Sequence, residues 1–188
     1  MARQLHELRI ELEIYDQPED LPPADQELLQ CALKAAAHSH SPYSNFKVGA
    51  AVRLASGRIV SGSNQENIAY PAGRCAESIC MFSAGAQYPD EAIVTLALTT
   101  PSGPEDSNDL LTPCGVCRQV ISEYRAHHDQ PVRILMRGRQ GPIYVVSDIH
   151  DLLPLMFAHE TVKRRRDRGD TSAPLSTGGR GAMGEGGA

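Results

Sequence analysis

The chemically most informative residues are two cysteines in a Cys-x-x-Cys pair. Cys114 and Cys117 stand in the segment Pro113-Cys-Gly-Val-Cys, at the predicted start of a helix. Free backbone N–H groups and the positive end of the helix dipole favour thiolates at such a position. The spacing is typical both of a thioredoxin-like redox pair and of part of a metal site. A metal site needs a further ligand from elsewhere in the chain.

Cys75 is the candidate for the third ligand, because it opens another predicted helix. If the two helix starts face each other, three thiolates would hold one Zn²⁺ and leave its fourth tetrahedral position open, as in catalytic zinc sites. Glu77 is too close to Cys75 in sequence for comfortable coordination. We therefore expect its carboxylate to lie beside the open position and to carry protons. A Cys₃ zinc, a Pro-Cys-x-x-Cys pair and a non-coordinating Glu together resemble the sites of the zinc deaminases that act on nucleobases.

The elements that must position these residues alternate between strands and helices. A nearly continuous apolar run at 92–99 is typical of a strand covered on both faces, and Gly57 suits the turn between two strands. Apolar periodicity predicts strands at 8–14, 46–54, 58–63, 92–99, 132–136 and 143–146, and helices at 26–38, 76–85, 115–125 and from Asp148 to Leu153. The pattern predicts a three-layer α/β/α fold around a mixed sheet of about five strands, with an extra N-terminal strand.

Composition excludes several classes of protein. The 188 residues carry a formal charge of −5 and only 5% aromatic residues, with no Trp. No apolar run approaches the roughly 20 residues that span a bilayer, so no membrane role is expected. The N-terminus MARQLHELRIELEIY lacks the apolar core of a secretory signal, which predicts a cytoplasmic protein. Six of the 18 basic residues lie beyond residue 162, so the preceding chain is more acidic than the total suggests and no nucleic-acid partner is expected.

Three further segments place the chain in a known family by resemblance. The segment Pro42-Tyr-Ser-Asn-Phe-Lys-Val-Gly-Ala-Ala51 resembles the first-strand motif of the small nucleoside (cytidine) deaminases. Asn64-Gln-Glu-Asn67, followed by Ala69-Tyr-Pro71, resembles their ribose-binding segment, and the two cysteine segments resemble their zinc motifs. Order and spacing agree over residues 25–158. The three-cysteine set resembles the homotetrameric branch of the family.

The resemblance implies a zinc-dependent reaction, with one Zn²⁺ per subunit held by Cys75, Cys114 and Cys117. Hydroxide would attack C4 of the cytosine ring, and Glu77 would pass the water proton to N3 and then to the departing amine. The implied activity is hydrolytic deamination of cytidine and deoxycytidine to uridine and deoxyuridine with release of ammonia, a step of pyrimidine salvage.

The resemblance also implies the substrate-binding residues. Asn64 and Glu66 would hydrogen-bond the ribose 3′-hydroxyl, Phe46 would pack against the pyrimidine, and the backbone of Ala76 would bind the base edge. Tyr70 and Phe157 would complete a neighbouring subunit's site in a homotetramer. Taken alone, Phe46 is better explained as a core residue, Asn64 and Glu66 could be turn residues, and Glu77 could be a carboxylate that complements the dipole at a helix start.

One residue departs from the family pattern. Family members usually continue Cys-Ala-Glu with Arg, which hydrogen-bonds the zinc thiolates, whereas this chain has Ser78. Arg118 and Arg74 are the cationic residues that could offset the thiolate charge instead. Three readings compete with plain cytidine deamination: deamination of a modified cytosine nucleoside such as an aminoacyl-nucleoside antibiotic, editing of a polynucleotide, and a non-catalytic zinc-binding module.

The sequence predicts three regions. Residues 1–24 form an N-terminal strand extension, and residues 25–162 form the deaminase domain. Residues 163–188, rich in Gly and Arg and poor in apolar side chains, form a disordered tail.

Overall fold

The computed structural model describes residues 3–104 and 109–157. This part of the chain contains three α-helices interspersed among six β-strands. The helices are α1 (Pro23–Ala36), α2 (Ala76–Gln87) and α3 (Gly115–His128). The strands are β1 (Glu13–Tyr15), β2 (Gly49–Leu54), β3 (Ile59–Ser63), β4 (Ile93–Thr99), β5 (Arg133–Arg137) and β6 (Ile143–Val146).

The sheet is mixed and lies between two helical layers. Its strand order is β1-β6-β5-β4-β2-β3, and only the β4–β5 pair is parallel. One face of the sheet packs on α1 through small and branched side chains such as Ala51, Ala97 and Leu135. The opposite face, which includes Val52, Leu96 and Ile134, packs on α2 and α3. The three-layer α/β/α prediction is confirmed.

The sheet has six strands rather than about five, because the N-terminal strand joins it at the β6 edge. That strand is much shorter than the predicted 8–14. Only Glu13–Tyr15 pairs with β6, since β6 itself is four residues long. The side chains of Leu8, Ile10 and Leu12, whose alternation predicted a strand, are exposed.

Three other predicted elements differ from the structure. Helix α1 begins at Pro23 rather than at residue 26, because a proline is tolerated at the first helical position, where its missing N–H has no partner to lose. The helix predicted from Asp148 is a 3₁₀ turn, Ile149–Asp151, which Asp148 caps by accepting a hydrogen bond from the Ile149 N–H at 2.7 Å. Pro154 and a left-handed Leu155 (φ 59°) follow and cannot continue a helix. The strand predicted from Phe46 begins at Gly49, after a left-handed Asn45 (φ 54°).

Two glycines have the local roles that the backbone demands. Gly57 has φ 89° in the β2–β3 turn, as the sequence predicts. A Cβ on Gly49 would overlap the carbonyl oxygen of Ala32, so α1 lies directly against the start of β2. Any side chain at residue 49 would push α1 off the sheet.

Antiparallel register brings three chain segments together at one end of the central strands. Gly49 at the start of β2 pairs with Ser63 at the end of β3 and with Thr99 at the end of β4. The segments entering β2, leaving β3 and leaving β4 therefore lie side by side. The residues that line the cavity described below lie on or beside these segments and the helix starts that face them.

Candidate metal centre and substrate cavity

The three predicted cysteine ligands meet at the starts of α2 and α3. Cys75 and Cys114 are the residues immediately before the first residues of these helices. The sulfur of Cys114 lies 3.8 Å from that of Cys75 and 3.6 Å from that of Cys117, and all three sulfurs lie within 4.8 Å of one another. Sulfurs bound to one tetrahedral Zn²⁺ at about 2.3 Å lie about 3.8 Å apart. The separations therefore fit a zinc ion, and all three cysteines are free thiols rather than disulfides.

Hydrogen bonds among the three sulfurs shift the pKa values of two of them in opposite directions. The pKa of Cys75 is lowered to about 6, chiefly by its hydrogen bond with Cys117 and further by Cys114 and the charge of Arg74. The same hydrogen bond raises the pKa of Cys117. A thiolate is thus already favoured at Cys75, and a thiolate is the form that binds a metal.

Glu77 lies in the first turn of α2 with 4% of its surface exposed. Burial is the main reason that its pKa is raised to about 7, and the charge of Cys75 adds to the effect. A carboxyl group with a pKa near the working pH can both accept and return a proton. The structure therefore places a buried carboxyl group with this property beside the sulfurs.

A cavity of about 300 Å³ opens over this centre. Seven of the ten predicted site residues line it: Phe46, Asn64, Glu66, Cys75, Ala76, Glu77 and Cys114. Cys117 lies behind the cavity wall, fully buried. Ser44, Val48, Leu111 and Thr112 complete the lining, and the sequence reasoning did not single them out as site residues. Ser44 stands within the quoted first-strand motif, which is the signal that could have found it.

Two predicted site residues lie away from this cavity. Tyr70 is 82% exposed and lines a neighbouring cavity of about 280 Å³, which shares Ser44 and Glu66 with the first. Phe157, the last described residue, is 68% exposed, and its carbonyl accepts a hydrogen bond from Gln119 Nε2 at 3.0 Å. Neither residue lines the cavity over the three sulfurs.

Asn64 and Glu66 are both engaged by the chain itself. Asn64 binds the segment that enters β2, through Phe46 and Val48. The Glu66 carboxylate accepts hydrogen bonds from the N–H groups of Tyr43 (2.9 Å) and Ser44 (3.3 Å) and from the Ser44 hydroxyl. These donors lower the pKa of Glu66, with the Ser44 hydroxyl contributing most, so the carboxylate stays ionised. Both residues hold the cavity wall in place.

The two arginines considered as charge partners have other hydrogen bonds. Arg118 donates to the carbonyls of Pro113 at 2.8 Å and Leu152 at 2.7 Å. Arg74 donates to the carbonyls of Pro71 and Gly73, although its charge does lower the pKa of Cys75. The hydroxyl of Ser78, in contrast, lies 3.4 Å from the Cys117 sulfur.

The remaining two cysteines lie outside the centre. Cys80 is buried and donates to the carbonyl of Val60 at 3.0 Å, and burial raises its pKa to about 12. Cys31 packs against the apolar side chains that lie between α1 and the sheet. Neither belongs to the three-sulfur group.

Fold and site together define a class: an α/β protein with three convergent cysteines that could hold a metal ion, an adjacent buried carboxyl group and a cavity of small-molecule size. Comparison with known proteins makes the class specific. Residues 22–129 match the family model described as "Cytidine and deoxycytidylate deaminase zinc-binding region". The chain belongs to this family, and its cofactor is zinc. The match contains Glu77 and all three cysteines of the cluster.

Individual relatives agree with the family match. A cytidine deaminase of Mycobacterium tuberculosis is 35% identical over 153 residues, which cover 78% of this chain and 99% of the relative. The crystal structure of a cytidine deaminase from Burkholderia pseudomallei superposes with a TM-score of 0.60 at 32% identity, covering 70% of this chain and 97% of that one. A blasticidin-S deaminase of Bacillus cereus is 32% identical over 112 residues, covering 58% of this chain and 76% of the relative.

Proposed function

We propose that this protein catalyses the hydrolytic deamination of cytidine and deoxycytidine to uridine and deoxyuridine, with release of ammonia. The single observation that carries the proposal is the position of Glu77. Its buried carboxyl group lies beside three convergent sulfurs and lines a cavity of about 300 Å³. A structural zinc module needs neither a proton carrier nor a cavity.

The proposed ligands are Cys75, Cys114 and Cys117. When bound, zinc supplies a Lewis acid that makes water nucleophilic near neutral pH. The cavity directs the C4 atom of the base toward Glu77. The Glu77 carboxylate takes one proton from the attacking water and delivers it to N3, then moves a second proton to the departing amine. The net reaction adds one water at C4 and releases ammonia.

The residues that we propose to bind the substrate line the wall of the cavity. The ring of Phe46 is 38% exposed and lines the cavity, so it is available to pack against the pyrimidine. Such an aromatic contact contributes about 0.5–1.5 kcal/mol beyond burial. The backbone of Ala76 meets the base edge. Asn64 and Glu66 bind the ribose 3′-hydroxyl while keeping the internal hydrogen bonds described above.

We assign Tyr70 and Phe157 to a site shared between subunits of a homotetramer. Both are large apolar side chains that one subunit leaves mostly in water. Tyr70 lines a neighbouring cavity, which shares the lining residues Ser44 and Glu66 with the substrate cavity. Such a position suits a residue that contacts its neighbour's site.

The proposed domain spans residues 25–162, with residues 1–24 as an extension. Part of that extension belongs to the core, since Leu21 is buried against α1 and the sheet. The expected disordered tail, residues 163–188, lies outside the described residues. Among the described residues, no helix has the length and apolar character to cross a membrane. A cytoplasmic site of action suits the free thiols that the metal centre requires.

The modified-nucleoside alternative has one supporting observation, the resemblance to a blasticidin-S deaminase. That match covers less of the chain than the match to the M. tuberculosis cytidine deaminase. The internal bonding of Asn64 and Glu66 also builds a polar wall suited to a free ribose. We therefore expect turnover of cytidine to exceed turnover of blasticidin S.

Substitution of Glu77 tests the proposal. Glu77→Gln keeps the size of the side chain and removes its proton-carrying capacity. General acid–base catalysis contributes about 10²–10⁴-fold, so we expect kcat to fall by at least about 100-fold while zinc content stays near one per subunit. A variant that deaminates cytidine as fast as the parent would refute the assignment. A parent protein that binds zinc and deaminates neither nucleoside would support the non-catalytic alternative.

A further inference from the structure

The three sulfurs of the metal centre differ in their access to water. Cys75 and Cys114 are exposed, so solvent can hydrogen-bond their sulfurs. Cys117 is fully buried, with none of its surface open to water. A thiolate that carries charge away from water needs hydrogen-bond donors from the protein. The need for an internal donor therefore falls on Cys117.

Ser78 is placed to meet this need. Its hydroxyl lies 3.4 Å from the Cys117 sulfur, and only 2% of the residue is exposed. A buried hydroxyl must itself find a partner within the protein. Serines in helices often bond the carbonyl four residues earlier, but the Arg74 carbonyl already accepts the Gln65 N–H at 2.9 Å. The Ser78 hydroxyl instead hydrogen-bonds the Cys117 sulfur, and if that sulfur is a thiolate the hydroxyl must be the donor.

We propose that Ser78 is a positioning residue of the metal centre, whose hydroxyl donates a hydrogen bond to the buried Cys117 thiolate. The inference rests on the proposed ligand set. Glu77 also interacts with Cys117, but its charge changes whenever it carries a proton. Ser78 is neutral and cannot take part in that exchange. It supplies a constant donor that orients the sulfur and limits how much electron density the thiolate gives to the metal.

Metal affinity tests this role independently of turnover. Ser78→Ala removes the hydroxyl and keeps a good helix former. Removing such a supporting partner typically weakens metal affinity by about 10- to 100-fold. We expect that loss for Zn²⁺ in competition with a chromophoric chelator under reducing conditions. We also expect the thiolate-to-metal charge-transfer band of the Co²⁺-loaded variant to shift from that of the Co²⁺-loaded parent.

Two variants serve as controls. Ser122→Ala removes another buried helical serine, whose hydroxyl lies 2.6 Å from the Met156 sulfur rather than at the metal centre. It should leave Zn²⁺ affinity and the Co²⁺ spectrum unchanged. Ser78→Thr keeps a hydroxyl at residue 78 and should bind Zn²⁺ nearly as tightly as the parent, which tests the proposal even if the Ala variant folds poorly.

The outcomes separate the two proposals. Equal Zn²⁺ affinity and equal Co²⁺ spectra in the parent and Ser78→Ala would overturn the role of Ser78 alone. A Thr variant that folds and binds as weakly as the Ala variant would also overturn it. A parent protein that binds neither metal through its thiolates would overturn the ligand set, and with it the proposed function.

Discussion

The amide nitrogen Nδ2 of Asn64 donates a hydrogen bond of 2.9 Å to the carbonyl oxygen of Phe46. The Oδ1 atom of the same amide accepts from the Val48 N–H at 2.8 Å and from the Ser39 hydroxyl at 2.6 Å. One side chain thus joins the end of β3 to the segment that enters β2. That segment carries the aromatic ring that lines the cavity, so Asn64 shapes the cavity as well as its polar wall.

Asn64→Ala should therefore reduce stability as well as substrate binding. Three partners, none of them fully buried, lose their hydrogen bonds with Asn64, and a typical intramolecular hydrogen bond contributes about 0.5–1.5 kcal/mol to stability. We expect a lower Tm and a higher KM for cytidine. Asn64→Asp keeps the acceptor for Val48 and Ser39 but loses the donor to Phe46, so its Tm should lie between those of the parent and the Ala variant. An Ala variant with the parent's Tm would contradict this account.

A second set of bonds joins Glu66 to Phe46 through Ser44. The Ser44 hydroxyl donates to the Glu66 carboxylate and accepts from the Phe46 N–H at 3.0 Å. Ser44→Ala should raise KM by several-fold with little change in kcat, because the loop that carries Phe46 loses one of its attachments, the hydroxyl bridge, while the metal centre stays intact. Steady-state kinetics on cytidine would measure the split between the two constants.

Ser56→Ala is the matched control for that variant. The Ser56 hydroxyl also donates to a glutamate, Glu91, but at an exposed turn away from the cavity. Its KM should equal that of the parent. An equal rise in KM in both variants would show that the effect of Ser44→Ala is not specific to the cavity.

The N-terminal extension divides into a dispensable and a structural part. Residues 3–12 form no helix or strand, and Leu5, Leu8 and Ile10 are exposed. Deletion of residues 1–12 should change the free energy of unfolding by less than about 0.5 kcal/mol, as surface changes do. Deletion of residues 1–21 also removes β1 and buried Leu21 and should lower the Tm clearly. Loss of activity in the shorter deletion would instead assign residues 1–12 a role in the active assembly.

Sequence patterns predict the starts of α2 and α3, and with them the positions of the neighbouring cysteines, because these features depend on local order. The helix starts predicted at Ala76 and Gly115 agree with α2 and α3. The predicted length of the N-terminal strand is wrong, because the length of β1 depends on its partner β6, with which it forms only three residue pairs. The contacts of Ser44 and Ser78 are not predictable from sequence patterns. The contact of Ser44 with Glu66 depends on the left-handed backbone at Asn45 and on how two segments distant in sequence meet. The contact of Ser78 with Cys117 depends on how α2 approaches α3.

The most direct test is absorbance-monitored turnover of cytidine by the zinc-loaded protein, by the same protein after metal removal with a chelator, and after zinc is restored. We expect conversion to uridine by the loaded protein, loss of turnover in step with zinc content, and recovery on reloading. Absence of conversion by fully loaded protein would contradict the account, and so would a rate that persists after the zinc has been removed.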